Sequence, residues 1–332
     1  MTRPLVLFTD ETDLDPRPGR ALLEAAGCDT MLADLPTREG IPQTLPAGAD
    51  RASALVVGYA RIDETLLRKL PSVGCIATMS AGTDMVDLEA CKRRGIWLVN
   101  LVDAATEEVA AHALMFMLAL ERHLAEGTKV TAQGGWTEDA TFVPRALSSL
   151  TLGLWGYGRI ARRLAAMAAP IVGRIIAHDP YATADGGVEL VGRERLLAES
   201  DILSLHTPLA PETTGILDGE GFDAMKDGAT LVNVARGELV NSAALHVALE
   251  SGRLRGAGLD VLAGEPPATN DPLRTHSRVL VTPHIAYRSA GSLERYTLDP
   301  ARNVLEWMHL GKSTRALIDG NTTTPLLGEM TR

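Results

Sequence analysis

Residues 151–161 read TLGLWGYGRIA. A β-type run, Thr151–Trp155, meets two glycines one residue apart, Gly156 and Gly158, and a helix-type run, Arg159–Ala169, follows. Ala161 takes the third position of a G-x-G-x-x-G/A turn. The spacing has a physical reason: Gly156 permits the tight bend, Gly158 lets backbone N–H groups approach a pyrophosphate, and Ala161 keeps helix and strand close. The helix N-terminus adds partial positive charge facing the phosphates. A glycine turn by itself also serves purely structural bends. Here strand and helix flank it correctly, and Asp179 falls 23 residues after Gly156, at the end of the next strand-type run. An acid there accepts from ribose hydroxyls and repels a 2′-phosphate. No arginine follows before Arg193, so NAD (NADH) is expected over NADP.

The same grammar extends in both directions. Downstream, strand-type runs fall at Arg174–His178, Ile202–His206, Thr230–Val234, Gly258–Val261 and Val279–Thr282, with helices at Arg193–Ala198, Gly219–Ala224 and Asn241–Ser251. Upstream, Leu5–Phe8, Ala54–Val57, Gly74–Thr78 and Ile96–Val99 alternate with helix-like Pro18–Ala26, Asp63–Leu70 and Met85–Arg94. Short apolar runs ending in Gly, Asn or Asp read as buried parallel strands, so the fold class is α/β. Thr106–His123 reads as one long helix, apolar on most sides, expected at a domain or subunit boundary and pointing to a homodimer. Gly134–Pro144, with Trp136, reads as a loop; a final helix spans about Ser289–His309, and Asn321–Leu327 reads as a loose tail. The expected arrangement is an inserted domain, residues 104–286, between two halves of another, residues 1–103 and 287–332; two consecutive domains are the alternative on pattern alone.

Composition narrows the function classes. At 332 residues the chain is long enough for about two domains. A net charge of −10 argues against general nucleic-acid affinity. The N-terminal MTRPLVLFTD lacks an h-region, and the longest apolar stretch, Val109–Leu120, is too short to span a bilayer. Cys28, Cys75 and Cys91 are odd in number and lack metal-type spacing, so no metal is expected and a cytoplasmic location is the simple reading.

Three later strand-type runs end in polar clusters: NVARG (233–237), LDVLAGEP (259–266) and TPHIA (282–286). In an open parallel sheet these ends face one crevice, which would gather Arg236, Asp260, Glu265 and His284. Each alone is more often a surface or capping group. Together, and with SAGTDMVDLEAC (80–91), ATEEVAAHAL (105–114), SDILSLHTPLAPETTGIL (200–217), NVARGELVNSAAL (233–245), GAGLDVLAGEPP (256–267) and VTPHIA (281–286), they resemble the D-isomer-specific 2-hydroxyacid dehydrogenases over about Ala54–His309.

That resemblance implies a flavodoxin-like substrate domain built from both termini around an inserted Rossmann domain, both doubly wound parallel sheets. It also implies roles by position. His284 is the general acid/base, Glu265 its partner, and Arg236 the clamp on the substrate carboxylate and carbonyl. Thr106, Tyr157, Arg159, Ile160, Pro180, His206, Thr207, Pro208, Thr213, Val234, Ala235, Asp260 and Ala286 would line the cofactor beside Gly156, Gly158 and Asp179. Asp260 would hold the nicotinamide carboxamide. The backbone of Ala81 and Gly82 would receive the carboxylate of a small 2-oxo or 2-hydroxy acid. Tyr287 resembles a substrate contact of the C-terminal-binding-protein branch, and so leaves an NAD(H)-sensing scaffold as the alternative to an enzyme. Tyr59, Arg61 and Arg288 are candidates for a second anionic group on the substrate. His112 is expected to be a satisfied structural histidine. Ala105, Ala111 and Met85 depart from the usual family residues, so the substrate does not carry over.

Overall fold

A computed structural model describes residues 3–10, 13–36, 44–321 and 323–327. The chain divides into two compact units, Met1–Ala104 with Ser289–Arg332, and Ala105–Arg288.

The two-segment unit contains strands β1 (Leu5–Phe8), β2 (Asp29–Leu32), β3 (Ala52–Val57), β4 (Cys75–Thr78), β5 (Trp97–Val99) and a C-terminal strand, Ala316–Ile318. Their order is C-terminal strand, β5, β4, β3, β1, β2, parallel except for the C-terminal strand, which runs antiparallel to β5. The order 2-1-3-4-5 is doubly wound. β1 and β4 are buried throughout, which is why they appear as unbroken apolar runs. β2 is only half buried and lies at the edge, and its mixed DTML pattern hid it. The Ala290–Leu310 helix starts at Ser289, whose hydroxyl accepts from the Ser292 N–H, and ends at left-handed Gly311. It packs on the Arg17–Ala25 helix and on β3 and β4. The approach requires glycine: a Cβ on Gly19 would lie 2.6 Å from the Thr297 carbonyl oxygen. The expected loose tail is instead tied down among the described residues. The N–H groups of Asn321, Thr323 and Leu326 donate to the carbonyls of Gly95, Gly311 and Met308.

The continuous unit carries β6 (Thr151–Trp155), β7 (Arg174–His178), β8 (Glu189–Leu190), β9 (Ile202–Leu205), β10 (Ala229–Asn233), β11 (Leu254–Leu259) and β12 (Val279–Val281). All pairs are parallel, in the order β12-β11-β10-β9-β6-β7-β8. Successive strands are added to one side of β6 and then, from β9 on, to the other, so the β6/β9 boundary is the switch point where open α/β sheets place ligands. One apolar cluster, with Leu203, Phe222, Leu231 and Leu249, covers one face. Another, with Phe116, Leu152, Leu164 and Val232, covers the other.

The single helix expected over Thr106–His123 is in fact two. The first, Thr106–Glu121, ends before His123, which stands at φ 52° with Nδ1 on Glu126 and Nε2 on Arg255. The second, Leu124–Ala132, buries no residue. The first helix is not enclosed all round either: Ala110, Ala113, Phe116 and Met117 are buried, while Met115 is exposed. It lies so close to β11 that a Cβ on Gly258 would be 2.6 Å from Phe116. Its last residue, Glu121, is fully buried and paired with Arg145 at 2.6 and 2.9 Å, with the Thr230 hydroxyl donating at 2.6 Å.

All three cysteines are free and buried. Burial pushes the Cys28 and Cys91 thiols up to about 11. Among the described residues, no helix is long and apolar enough to cross a membrane.

Candidate active site

The glycine turn leaves β6 at its carboxyl end. Gly156 sits at φ +91°, and a Cβ there would lie 2.7 Å from the His206 carbonyl, so glycine is required twice over. A Cβ on Gly158 would meet nothing within 4 Å; open space lies in front of it. The Arg159–Ala168 helix that follows has no side-chain cap on its first N–H groups. An uncapped helix start, open space and a backbone bend suit a pyrophosphate.

Asp179 closes the turn from β7. Its carboxylate accepts from the N–H groups of Tyr157 and Tyr181, both at 2.8 Å. Burial opposes its charge, but the N–H groups of Tyr157, Tyr181 and Ala182 outweigh burial and hold its pKa below the ordinary range. Tyr157 is buried; its hydroxyl donates to Asp185 at 2.6 Å and Arg162 lies over its ring at 4.3 Å. Pro180 and Arg159 are exposed, while Thr106 and Ile160 are half-buried. From β9, His206 is half-buried at its surface with Nε2 on the Ser204 hydroxyl at 2.8 Å, and desolvation lowers its pKa to about 4. Thr207 is half-buried and Pro208 exposed. The Thr213 hydroxyl bridges the Ala210 N–H and the Pro208 carbonyl, so it shapes this turn.

From β10, Val234 is buried and Ala235 half-buried. Asn233 draws the next bend: its side-chain N–H donates to the Arg236 carbonyl and its oxygen accepts from the Ala235 N–H. Sequence reading passed over Asn233, although an amide ending a buried strand was a visible signal. Arg236 donates to the Ala235 carbonyl. A Cβ on Gly237 would lie 2.0 Å from the Leu262 carbonyl carbon, so the turn after β10 touches the turn after β11. There Glu265 accepts from the Leu262 N–H through Oε1 and meets His284 Nδ1 through Oε2 at 2.6 Å.

His284, following β12, stands at φ 53° in the left-handed region, which costs a non-glycine residue about 1–2 kcal/mol. Its N–H donates to the Asp260 carbonyl at 2.8 Å. Asp260, from β11, is 1% exposed, and its carboxylate accepts from the N–H groups of Ile285 and Ala286 and from the Thr282 hydroxyl. The structure thus shows Asp260 organising the turn that carries His284. Burial opposes charging His284, but Glu265 overrides it and raises the pKa above the usual 6.5, with Arg236 opposing and Asp260 assisting. The Tyr287 ring stands edge-on to His284 with centroids 6.3 Å apart.

Within the other unit, the Ala81 carbonyl accepts from Asn100, and the Ser80 hydroxyl donates to the Gly82 carbonyl, both at 2.7 Å. These bonds shape the bend after β4. Sequence spacing also missed a His246, Glu250 and His276 cluster. Nδ1 of His276 accepts from the Arg278 N–H, so in the neutral ring Nε2 carries the proton, which goes to Glu250. That tautomer leaves no lone pair there for a metal.

The glycine turn stands at the switch point, and Arg236, Glu265 and His284 stand on the turns that follow neighbouring strands of the same sheet. Residues 114–286 match the family model described as D-isomer specific 2-hydroxyacid dehydrogenase, NAD binding domain, and the chain belongs to that family. It is 37% identical over 311 residues to a D-3-phosphoglycerate dehydrogenase of Mycobacterium leprae, covering 92% of this chain and 57% of that protein. It therefore spans a little over half the length of that relative. Against a glycerate dehydrogenase of Methylorubrum extorquens it is 35% identical, covering 76% of this chain and 82% of that one. A D-lactate dehydrogenase from Aquifex aeolicus, solved with NAD and lactic acid, superposes with a TM-score of 0.81 at 30% identity, covering 91% of this chain and 95% of that one.

Proposed function

We propose that this chain interconverts a small 2-oxo acid and its D-2-hydroxy acid, with NAD(H) bound by the Ala105–Arg288 unit. The observation that carries the reading is the 2.6 Å contact between His284 Nδ1 and Glu265 beside the Arg236 turn. With Nδ1 engaged by a carboxylate, Nε2 is the nitrogen that gives its proton to the carbonyl oxygen and takes it back in the reverse direction. Arg236 holds the carboxylate and polarises the carbonyl, because a guanidinium stays charged and presents a fork of donors. Bound NADH supplies the hydride for the carbonyl carbon. Asp179 keeps its charge and favours NAD over NADP. Tyr287, edge-on to His284, borders the substrate.

The test is NADH consumption with glyoxylate, pyruvate, hydroxypyruvate, oxaloacetate and a phosphorylated 2-oxo acid, in wild type and His284→Gln. Turnover with at least one acid, reduced about 100- to 10,000-fold in the variant while NADH affinity is retained, is expected. Turnover that survives in the variant removes His284 as the acid. Wild-type inactivity on every acid would favour the scaffold reading, which the named relatives, all dehydrogenases, do not support.

The homodimer belongs to the same proposal. The Leu124–Arg145 segment exposes Leu124, Trp136 and Val143, the last at 80%, and a second copy would cover them. A monomer by light scattering would refute it.

A further inference from the structure

We propose that His112 and Thr282 are positioning residues for His284, acting through the buried carboxylate of Asp260. The inference rests on the reading of His284 as the proton donor and extends it to a helix remote in sequence. His112 lies on the Thr106–Glu121 helix, half-buried, with its ring edge-on to Phe116 at 4.8 Å. Its Nε2 is 2.9 Å from the Thr282 hydroxyl oxygen and 3.6 Å from Asp260 Oδ1.

The hydrogen-bond directions are determined. Asp260 is an acceptor, so the Thr282 hydroxyl donates to it. That hydroxyl has spent its one proton and must accept from His112. His112 therefore carries its proton on Nε2, and desolvation, which outweighs the pull of Asp260, lowers its pKa and so favours the neutral ring. The chain runs from the His112 N–H to the Thr282 hydroxyl to the Asp260 carboxylate. The same carboxylate grips the N–H groups of Ile285 and Ala286, the two residues after His284. His284 itself is held in a left-handed conformation that few side chains adopt unaided. Removing a donor upstream frees the turn, and the imidazole loses its fixed approach to Glu265.

A histidine that merely fills the core would tolerate any substitution of similar bulk. A positioning histidine needs an N–H where Nε2 stands, which glutamine supplies and leucine does not. The test uses His112→Leu, His112→Gln, Thr282→Val and Thr282→Ser. Its readouts are kcat and KM for the best 2-oxo acid, NADH affinity by fluorescence, melting temperature, and the His284 pKa by NMR of labelled histidine. The charged groups acting on that pKa are Glu265, Arg236 and Asp260.

His112→Leu and Thr282→Val are expected to lower kcat about 10- to 100-fold, because misplacing a reacting group by an ångström costs that much. Both should lower the His284 pKa and leave NADH affinity unchanged. His112→Gln and Thr282→Ser should recover most of the rate, and the double variant His112→Leu/Thr282→Val should be no worse than either single one. The inference is overturned if His112→Gln is as impaired as His112→Leu, or if the rate loss follows melting temperature across the set. The NMR arm needs no substrate. An unmoved His284 pKa in both apolar variants sinks this proposal, whereas absent wild-type turnover with a shifted pKa sinks only the dehydrogenase reading.

Discussion

Replacing Glu265 by glutamine keeps the shape of the partner and removes its charge. The contact to His284 Nδ1 is 2.6 Å, and each side chain is about one-third exposed. A hydrogen bond to a charged group contributes about 1.5–3 kcal/mol and a neutral one about 0.5–1.5 kcal/mol. Water reaching the exposed third places the difference at the low end, about 1 kcal/mol or roughly a fivefold change in proton affinity. The sign follows from the chemistry. Reduction needs the imidazolium, so its rate is flat below the His284 pKa and falls as pH rises through it. Glu265 raises that pKa, so Glu265→Gln moves the falling limb toward acid. Oxidation needs the neutral ring, and its rising limb moves the same way. Steady-state reduction from pH 5 to 10 should show the two enzymes converging at the acid end and separated by roughly fivefold at the alkaline end. Identical alkaline limbs, or a loss of the same size at every pH, would refute the assignment of Glu265 as the charge that holds the proton.

Asp179→Ser removes the carboxylate that shapes the glycine turn and that, on the proposed reading, would face a 2′-phosphate. The ratio of NADH to NADPH kcat/KM should fall, and an unchanged ratio would reject Asp179 as the discriminator. Arg145→Met takes away the guanidinium paired with the fully buried Glu121 carboxylate and leaves it the Thr230 hydroxyl. Breaking a buried pair from one side costs about 3–5 kcal/mol, read as a lower denaturant midpoint at unchanged slope. Adding Glu121→Gln should restore part of that stability, and if it does not, the charge is not the cause.

Much of the fold was legible because burial on both faces of a parallel sheet leaves a simple record. Leu5–Phe8 is apolar throughout, and Thr151–Trp155, polar only at its first residue, runs straight into Gly156. The elements that escaped reading lack that record. β2 sits half-exposed at an edge, and the Leu124–Ala132 helix buries nothing, so neither is forced into a hydrophobic period. The break at His123 depends on bonds to Glu126 and Arg255, the latter 132 residues away. The site followed the same division. Gly156, Arg236, Glu265 and His284 stand in local motifs whose spacing carries chemistry. The residues that hold them stand in motifs too, but their contacts are not written there: His112 meets Thr282 across 170 positions, and Asp260 accepts from the N–H groups of Ile285 and Ala286.

The unit that contains residue 5 also contains the Ala290–Leu310 helix, which rests on the Arg17–Ala25 helix and on β3 and β4. During translation those early strands leave the ribosome long before the element that covers them. The 105–288 segment, by contrast, has every strand of its sheet in hand before residue 290 is made. Order of synthesis and order of completion therefore run opposite ways: the 105–288 sheet completes first, and the strands made before it wait, one apolar face uncovered, for the helix that follows residue 289.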